Sequence, residues 1–175
     1  MPLPAVRERI LVADNDAYLF AGALRETVTA RDGAGDAAVT AAVRVAMAED
    51  VVAALPEGLG SFVEAQGRSL SGGQRQRLRL VRALLADPEV LLLVEPTSAV
   101  DAHTESVVAQ RLHEARRGRT TVVVATSPLL LDRADRVAYL VEGRVVATGS
   151  HTDLLATEPG YRALAFRGSD EELVQ

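Results

Sequence analysis

Two uninterrupted apolar runs constrain this chain more than any other feature. They are VLLLV (Val90–Val94) and TTVVVATS (residues 120–127), and an amphipathic stretch, TESVVAQRLHEARRG, lies between them. An apolar run of strand length without polar alternation suits a strand buried in a parallel sheet. The amphipathic stretch, closed by Gly118, suits the helix that crosses between two such strands. Strand–helix–strand order of this kind predicts an α/β fold with a parallel sheet.

The remaining segments fit around that unit. RILVAD (residues 9–14) reads as another strand. NDAYLFAGALRETV follows as a loop and a short helix, and RDGAGD (residues 31–36) is turn-like. An Ala-rich stretch suits helices from Ala37, and an all-helical segment is expected to about Leu70, broken by Pro56, Gly58 and Gly60. Helix resumes at SGGQRQRLRLVRALLADP. There Leu78, Val81 and Leu85 form one apolar face with Leu84 beside them, Arg75, Arg77 and Arg79 lie mostly off it, and Asp87-Pro88 ends the helix. RVAYLVEGRVVATG reads as two strands around a Glu142-Gly143 hairpin turn. HTDLLATEPGYRALAF supplies helical pieces, and residues 167–175 read as a frayed tail. The chain shows no internal repeat.

Composition narrows the function. With 175 residues the chain holds one domain with a real core. Aromatic residues are 3%, so that core is built from Ala, Val and Leu. A net charge of -5 gives no sign of a nucleic-acid partner. The absence of cysteine excludes disulfides and thiolate metal sites. His103, His113 and His151 lack metal-ligand spacing and read as surface residues. No apolar run approaches the ~18 residues of a membrane helix, and the opening MPLPAVRERI lacks a signal-peptide apolar region. A soluble or peripheral chain on the cytoplasmic side is expected. The sequence also contains no lysine: all 19 basic residues are arginine. A phosphate-binding loop of the form G-x-x-x-x-G-K-[ST] therefore cannot occur in it.

Two motifs carry chemistry. Ser71, Gly72 and Gly73 open a helix, where glycines let backbone approach a ligand and N–H groups face an anion. The same residues also suit a plain serine N-cap with a flexible lead-in. Glu95 ends the VLLLV run at the carboxyl edge of a sheet, where α/β folds place ligands. A carboxylate there can orient or deprotonate water, or stand as a solvated strand-end charge. PTSAVD then makes a rigid turn, with Asp101 near the next helix start.

Taken as one ordered string, LSGGQ, an arginine-rich helix, an apolar strand ending in Glu and PTSAVD resemble the ATP-binding cassette (ABC) ATPases. LPEGLGSFVEAQGRSLSGGQRQRL and NDAYLFAGALRETV look like the exporter branch, and the resemblance runs from about Arg9 to Phe166. It implies a partial P-loop NTPase fold spanning residues 1–175 as one domain. A helical subdomain would occupy about 31–72 and a RecA-like α/β core the rest. It further implies that Leu70, Ser71, Gly72, Gly73 and Gln74 are the signature motif, which binds the γ-phosphate of ATP held by an opposite subunit. Ser98, Ala99 and Asp101 match the loop that also reaches across the dimer, and Glu95 matches the catalytic base.

Departures from the family pattern cluster. Val94 stands where the family has a metal-holding Asp, Asn15 where it has the Q-loop glutamine, and Ser127 where it has the switch histidine. All belong to the site the chain would build for itself, and no metal ligand set remains there. The resemblance therefore implies a degenerate exporter ATPase half. ATP and Mg²⁺ would bind at a composite site with a second ABC ATPase domain, in a heterodimer. The chain would sit at the cytoplasmic membrane face through transmembrane domains. The segment reads as the C-terminal part of such a domain, beginning just before the Q-loop. A catalytically dead interaction module and a decayed gene fragment stay open as alternatives. A soluble ABC ATPase of DNA repair or translation fits the exporter-like stretches less well.

Overall fold

The computed structural model describes residues 2–15, 18–29 and 34–170. The chain divides into two compact units, one up to Val124 and one from Ala125.

The first unit opens with α1 (Leu3–Arg9), which runs directly into β1 (Ile10–Ala13). The expected strand thus starts one residue later than its apolar pattern suggests, because Arg9 closes the helix and pairs with Glu89 at 2.5 Å. After β2 (Gly22–Ala23) come α2 (Leu24–Val28), α3 (Asp36–Val45), α4 (Glu49–Ala53) and β3 (Phe62–Val63). The segment expected to be all helix therefore contains a strand. Phe62 and Val63 pair antiparallel with Ala23 and Gly22, a tertiary pairing too short to leave a periodic signal. Then α5 (Gly72–Leu85), β4 (Val90–Val94), α6 (Ala102–Ala115) and β5 (Thr120–Val124) complete the unit.

Strands β1, β4 and β5 form a three-stranded parallel sheet in that order. Leu11 pairs with Leu91, and Leu93 lies between Ala13 and Val123. These side chains join Leu78, Leu80 and Val81 of α5 and Val108 and Leu112 of α6 in one core. Leu91 and Leu93 are fully buried. The opposite face differs from the expectation of strands covered on both sides. Val12 is 61% exposed, Val122 44% and Val124 56%. Both helices pack on one face, so alternate residues are buried in β4 and only half-buried in β5.

The second unit comprises α7 (Pro128–Leu131), β6 (Val137–Val141), β7 (Arg144–Gly149), α8 (His151–Thr157) and α9 (Pro159–Asp170). The hairpin β6–β7 turns at Glu142 and Gly143, both with positive φ (48° and 75°). That is the geometry a tight hairpin turn requires, and it matches the sequence reading. A small core of Val137, Leu154 and Tyr161 holds the unit together. His151 corrects its surface assignment: it is buried, with Nδ1 2.7 Å from the Tyr161 hydroxyl. The hydrogen bond satisfies a ring nitrogen that would otherwise be costly to bury. Helix α9 continues through Asp170 into the expected tail, whose remainder lies outside the described residues.

Candidate functional site

The head of α5 is built by a reciprocal cap. The Ser71 hydroxyl accepts from the Gln74 N–H at 3.2 Å, and the Gln74 side-chain oxygen accepts from the Ser71 N–H at 2.8 Å. This is a capping box, and it satisfies two donors at the helix start. Among the described residues, no hydrogen bond takes up the N–H groups of Gly72 and Gly73. They remain the open donors at the positive end of the helix dipole. Both readings of SGGQ therefore hold together: the serine caps the helix, and the glycines leave an anion-facing end.

The two glycines differ in what they permit. A Cβ on Gly73 would lie 2.6 Å from the Ala99 carbonyl oxygen, so that glycine is required by the close approach of the 97–101 loop. A Cβ on Gly72 meets nothing nearer than Ala99 Cβ at 3.9 Å. Gly72 is thus the glycine that faces open space. An open cleft of about 340 Å³ lies here, lined by Ser71, Gly72, Gly73, Arg77, Ala99 and Asp101 among others. Leu70 is buried beneath it, and its carbonyl accepts from Arg75 Nη1 at 2.6 Å.

The far wall is set by the start of α6. Asp101 is its N-cap, accepting from the Thr104 N–H at 2.9 Å and the Thr104 hydroxyl at 2.7 Å. The Thr104 N–H, then its hydroxyl, hold this carboxyl below the usual aspartate range. Asp101 is therefore charged and oriented, with its oxygens engaged along its own helix. Arg77 contributes from the other side. Its Nη1 donates to Asp50 Oδ1 at 2.6 Å and to the Met47 carbonyl. That hydrogen bond lowers the Asp50 carboxyl below its ordinary range.

The sheet edge presents a different inventory. Val94, at the end of β4, pairs with Val124. Glu95 follows in a left-handed backbone conformation (φ 45°), with its N–H on the Val124 carbonyl at 2.8 Å. A non-glycine residue held there costs of order 1–3 kcal/mol and needs its surroundings to impose it. They do so through its carbonyl, which accepts from Gln76 Nε2 at 2.9 Å. Asn15, beyond β1, reaches the same spot: its Nδ2 donates to Ser98 Oγ at 2.9 Å. Ser127 lies in the second unit, where it caps α7 by accepting from the Leu129 N–H at 3.3 Å.

The structure thus brings Ser71–Gln74 together with Ala99 and Asp101 in one cleft, leaves Leu70 buried outside it, and brings Asn15 together with Glu95 and Ser98. Sequence reasoning missed Gln76. It sits among arginines in a segment that reads as a polar helix face, yet it is buried. The arginines there are also engaged. Arg79 Nη1 donates to the Asn15 carbonyl at 2.5 Å and Arg82 Nη1 to the Tyr18 carbonyl at 2.8 Å, which fastens the loop after β1 onto α5.

Among the described residues no group of three or more His, Cys, Asp or Glu could hold a metal ion. No described helix is long and apolar enough to cross a membrane. The open N–H groups at the glycine end of α5 are donors of the kind that meet an anion.

Comparison with known proteins gives a consistent result. A family model described as ABC transporter matches residues 3–98. The ABC multidrug transporter MDR2 of Trichophyton interdigitale is 38% identical over 169 residues, covering 95% of this chain and 13% of its own. The ATP-dependent lipid A-core flippase of Acinetobacter baylyi is 34% identical over 171 residues, covering 97% of this chain and 30% of its own. A solved structure of a bacterial Atm1-family ABC exporter with ATP bound superposes with a TM-score of 0.85 at 32% identity. It covers 95% of this chain and 30% of that one. The chain therefore spans less than a third of the length of these relatives.

Proposed function

The chain belongs to the ABC transporter family, and we propose that it is the part of an exporter's nucleotide-binding domain that completes an ATP site held by a partner. Its fold is the ABC ATPase form of the P-loop NTPase architecture, α/β with a parallel sheet. The observation that carries the proposal is a contrast within the first unit. The cleft between the head of α5 and the 97–101 loop is fully formed, with Gly72 open and Gly73 locked against Ala99. The sheet edge carries Val94 and Asn15 in place of the metal- and water-holding groups.

In this reading the N–H groups of Gly72 and Gly73 and the hydroxyl of Ser71 face the terminal phosphate of ATP bound in trans. Ala99 and Asp101 set the opposite wall, with Ser98 at the turn before them. Glu95, the residue at the family's base position, is idle because nothing beside it holds a metal-bound water. Mg²⁺ and the triphosphate cradle come from the partner, a second ABC ATPase domain in a heterodimer. Transmembrane domains would then hold the pair at the cytoplasmic face of a membrane. The exposed apolar face of the sheet supports a domain that takes further structure against it, since parallel sheets are covered on both sides.

The test is association. The chain is mixed with an ABC ATPase domain that carries an intact P-loop, and complex formation is followed by sedimentation with and without Mg-ATP. The proposal expects a complex only with Mg-ATP, and none when the partner's P-loop lysine is replaced. Equal association without nucleotide would favour an interaction module instead. Calorimetry showing that the chain alone binds Mg-ATP with a micromolar dissociation constant would contradict it.

A further inference from the structure

Gln76 has no role in the chemistry described above, yet it is 3% exposed and its side chain is fully engaged. Its Oε1 accepts from the Ala99 N–H at 2.8 Å. Its Nε2 lies 2.6 Å from Asn15 Oδ1, 2.9 Å from the Glu95 carbonyl and 3.1 Å from Ser98 Oγ. An amide nitrogen has two hydrogens, so the two shorter contacts are its donations. Ser98 Oγ is served otherwise: Asn15 Nδ2 donates to it at 2.9 Å, and it lies 3.3 Å from the Glu95 carbonyl as a donor. The Ala99 N–H fixes which end of the Gln76 amide is oxygen, and that choice fixes the orientation of Asn15 in turn. One consistent wiring results.

Three separate chain segments meet at this amide: the loop after β1, the turn after β4, and the second turn of α5. We infer that Gln76 is a positioning residue, holding the 95–99 turn at a set distance from the head of α5 and so fixing the width of the cleft between Gly72 and Asp101. Asn15 belongs to the same strut. Its side chain is spent on Gln76 and Ser98, so the position at which the family carries a glutamine serves here as a structural tie. Glu95 gains its left-handed conformation from the same source, because its carbonyl is the third anchor. A small open pocket of about 20 Å³ lies beside Gln76, lined by Asn15, Arg79, Leu80 and Val94 among others.

The inference rests on the proposed function for what the cleft is used for, but the strut is tested without nucleotide, so the two stand or fall separately. The full chain is examined by NMR hydrogen exchange. In the wild type, the Gln76 side-chain amide protons and the Ala99 N–H should be protected at least about tenfold beyond exposed glutamine and loop amides, the size of effect expected for one hydrogen bond. Gln76→Leu should lower Ala99 protection about tenfold more than it lowers that of Leu91 in β4, and should shift the Asn15 side-chain amide signals, since Asn15 Oδ1 loses its donor. Gln76→Glu keeps the acceptor and loses the donors. It should retain Ala99 protection while still shifting the Asn15 signals. A residue that merely fills the core would lower Ala99 and Leu91 by one common factor in both variants, and that result overturns the inference. So does a wild-type Gln76 amide that exchanges as fast as an exposed one, a measurement that decides the matter even where Gln76→Leu does not fold.

Discussion

Two adjacent glycines that look equivalent in LSGGQ carry different physical duties. Gly73 is fixed by backbone: a methyl there meets the Ala99 carbonyl at 2.6 Å, and no flexible side chain can yield. Gly73→Ala should cost about 1–3 kcal/mol, the usual range for forced overpacking. Gly72→Ala should stay within about 1 kcal/mol, since its Cβ has ordinary room. Urea denaturation of the two variants side by side checks the order. Equal costs would mean that the approach of the 97–101 loop is not what demands glycine. Asp101→Ala removes an N-cap and should cost about 1 kcal/mol by the same measurement. The need for small residues was legible in the sequence, but the division of labour was not. It depends on Ala99, which is remote in sequence and close in space. Gln76 was illegible for a related reason. A glutamine between Arg75 and Arg77 looks solvated until two acceptors and one donor from other segments are seen to converge on it.

At the scale of elements, the long apolar signals were read correctly and the short pairings were not. Strands β4 and β5, helices α5 and α6, and the Glu142-Gly143 hairpin follow from runs, periodicity and turn chemistry that each segment carries alone. Strands β2 and β3 have two residues each, and what makes them strands is their mutual pairing. The unbroken apolar character of VLLLV and TTVVV correctly implied a parallel sheet, but it could not show that one face lies open. That asymmetry gives a direct expectation. Leu91→Ala, on the packed face, should cost about 2–5 kcal/mol. Val122→Thr, on the exposed face, should change stability by no more than about 0.5 kcal/mol. It should also reduce self-association, because contiguous exposed apolar surface promotes it. Thermal melts and sedimentation measure both effects. A comparable loss for Val122→Thr would mean that its face is covered.

For the molecule as a whole, charge and composition set the conditions under which it stays folded and what it can do. Among the described residues three carboxyls are held below their ordinary range: Asp50 first by its hydrogen bond from Arg77, Glu89 by that from Arg9, and Asp101 by the Thr104 N–H. A depressed folded-state pKa stabilises above the unfolded value, and the benefit is lost as pH falls through the folded one. Stability should therefore be flat near neutrality and decline below about pH 4. A melting series across pH 2.5–7 tests this, and a decline that begins near pH 6 would point to another group. The central claim is the separation of a working trans face from an idle cis edge, and one steady-state ATPase assay tests it most directly. The chain is joined to an N-terminal segment carrying the P-loop and paired with an intact partner domain. Gly72→Asp places a carboxylate against the incoming phosphate. At ~4 Å the repulsion between unit charges is about 4 kcal/mol at an effective dielectric of 20, or roughly a 10³-fold loss of rate if it falls on the transition state. On the proposed reading Glu95→Gln should leave turnover nearly unchanged, because Val94 would supply no metal-holding group beside it. Loss of activity in Glu95→Gln with activity retained in Gly72→Asp would contradict the account.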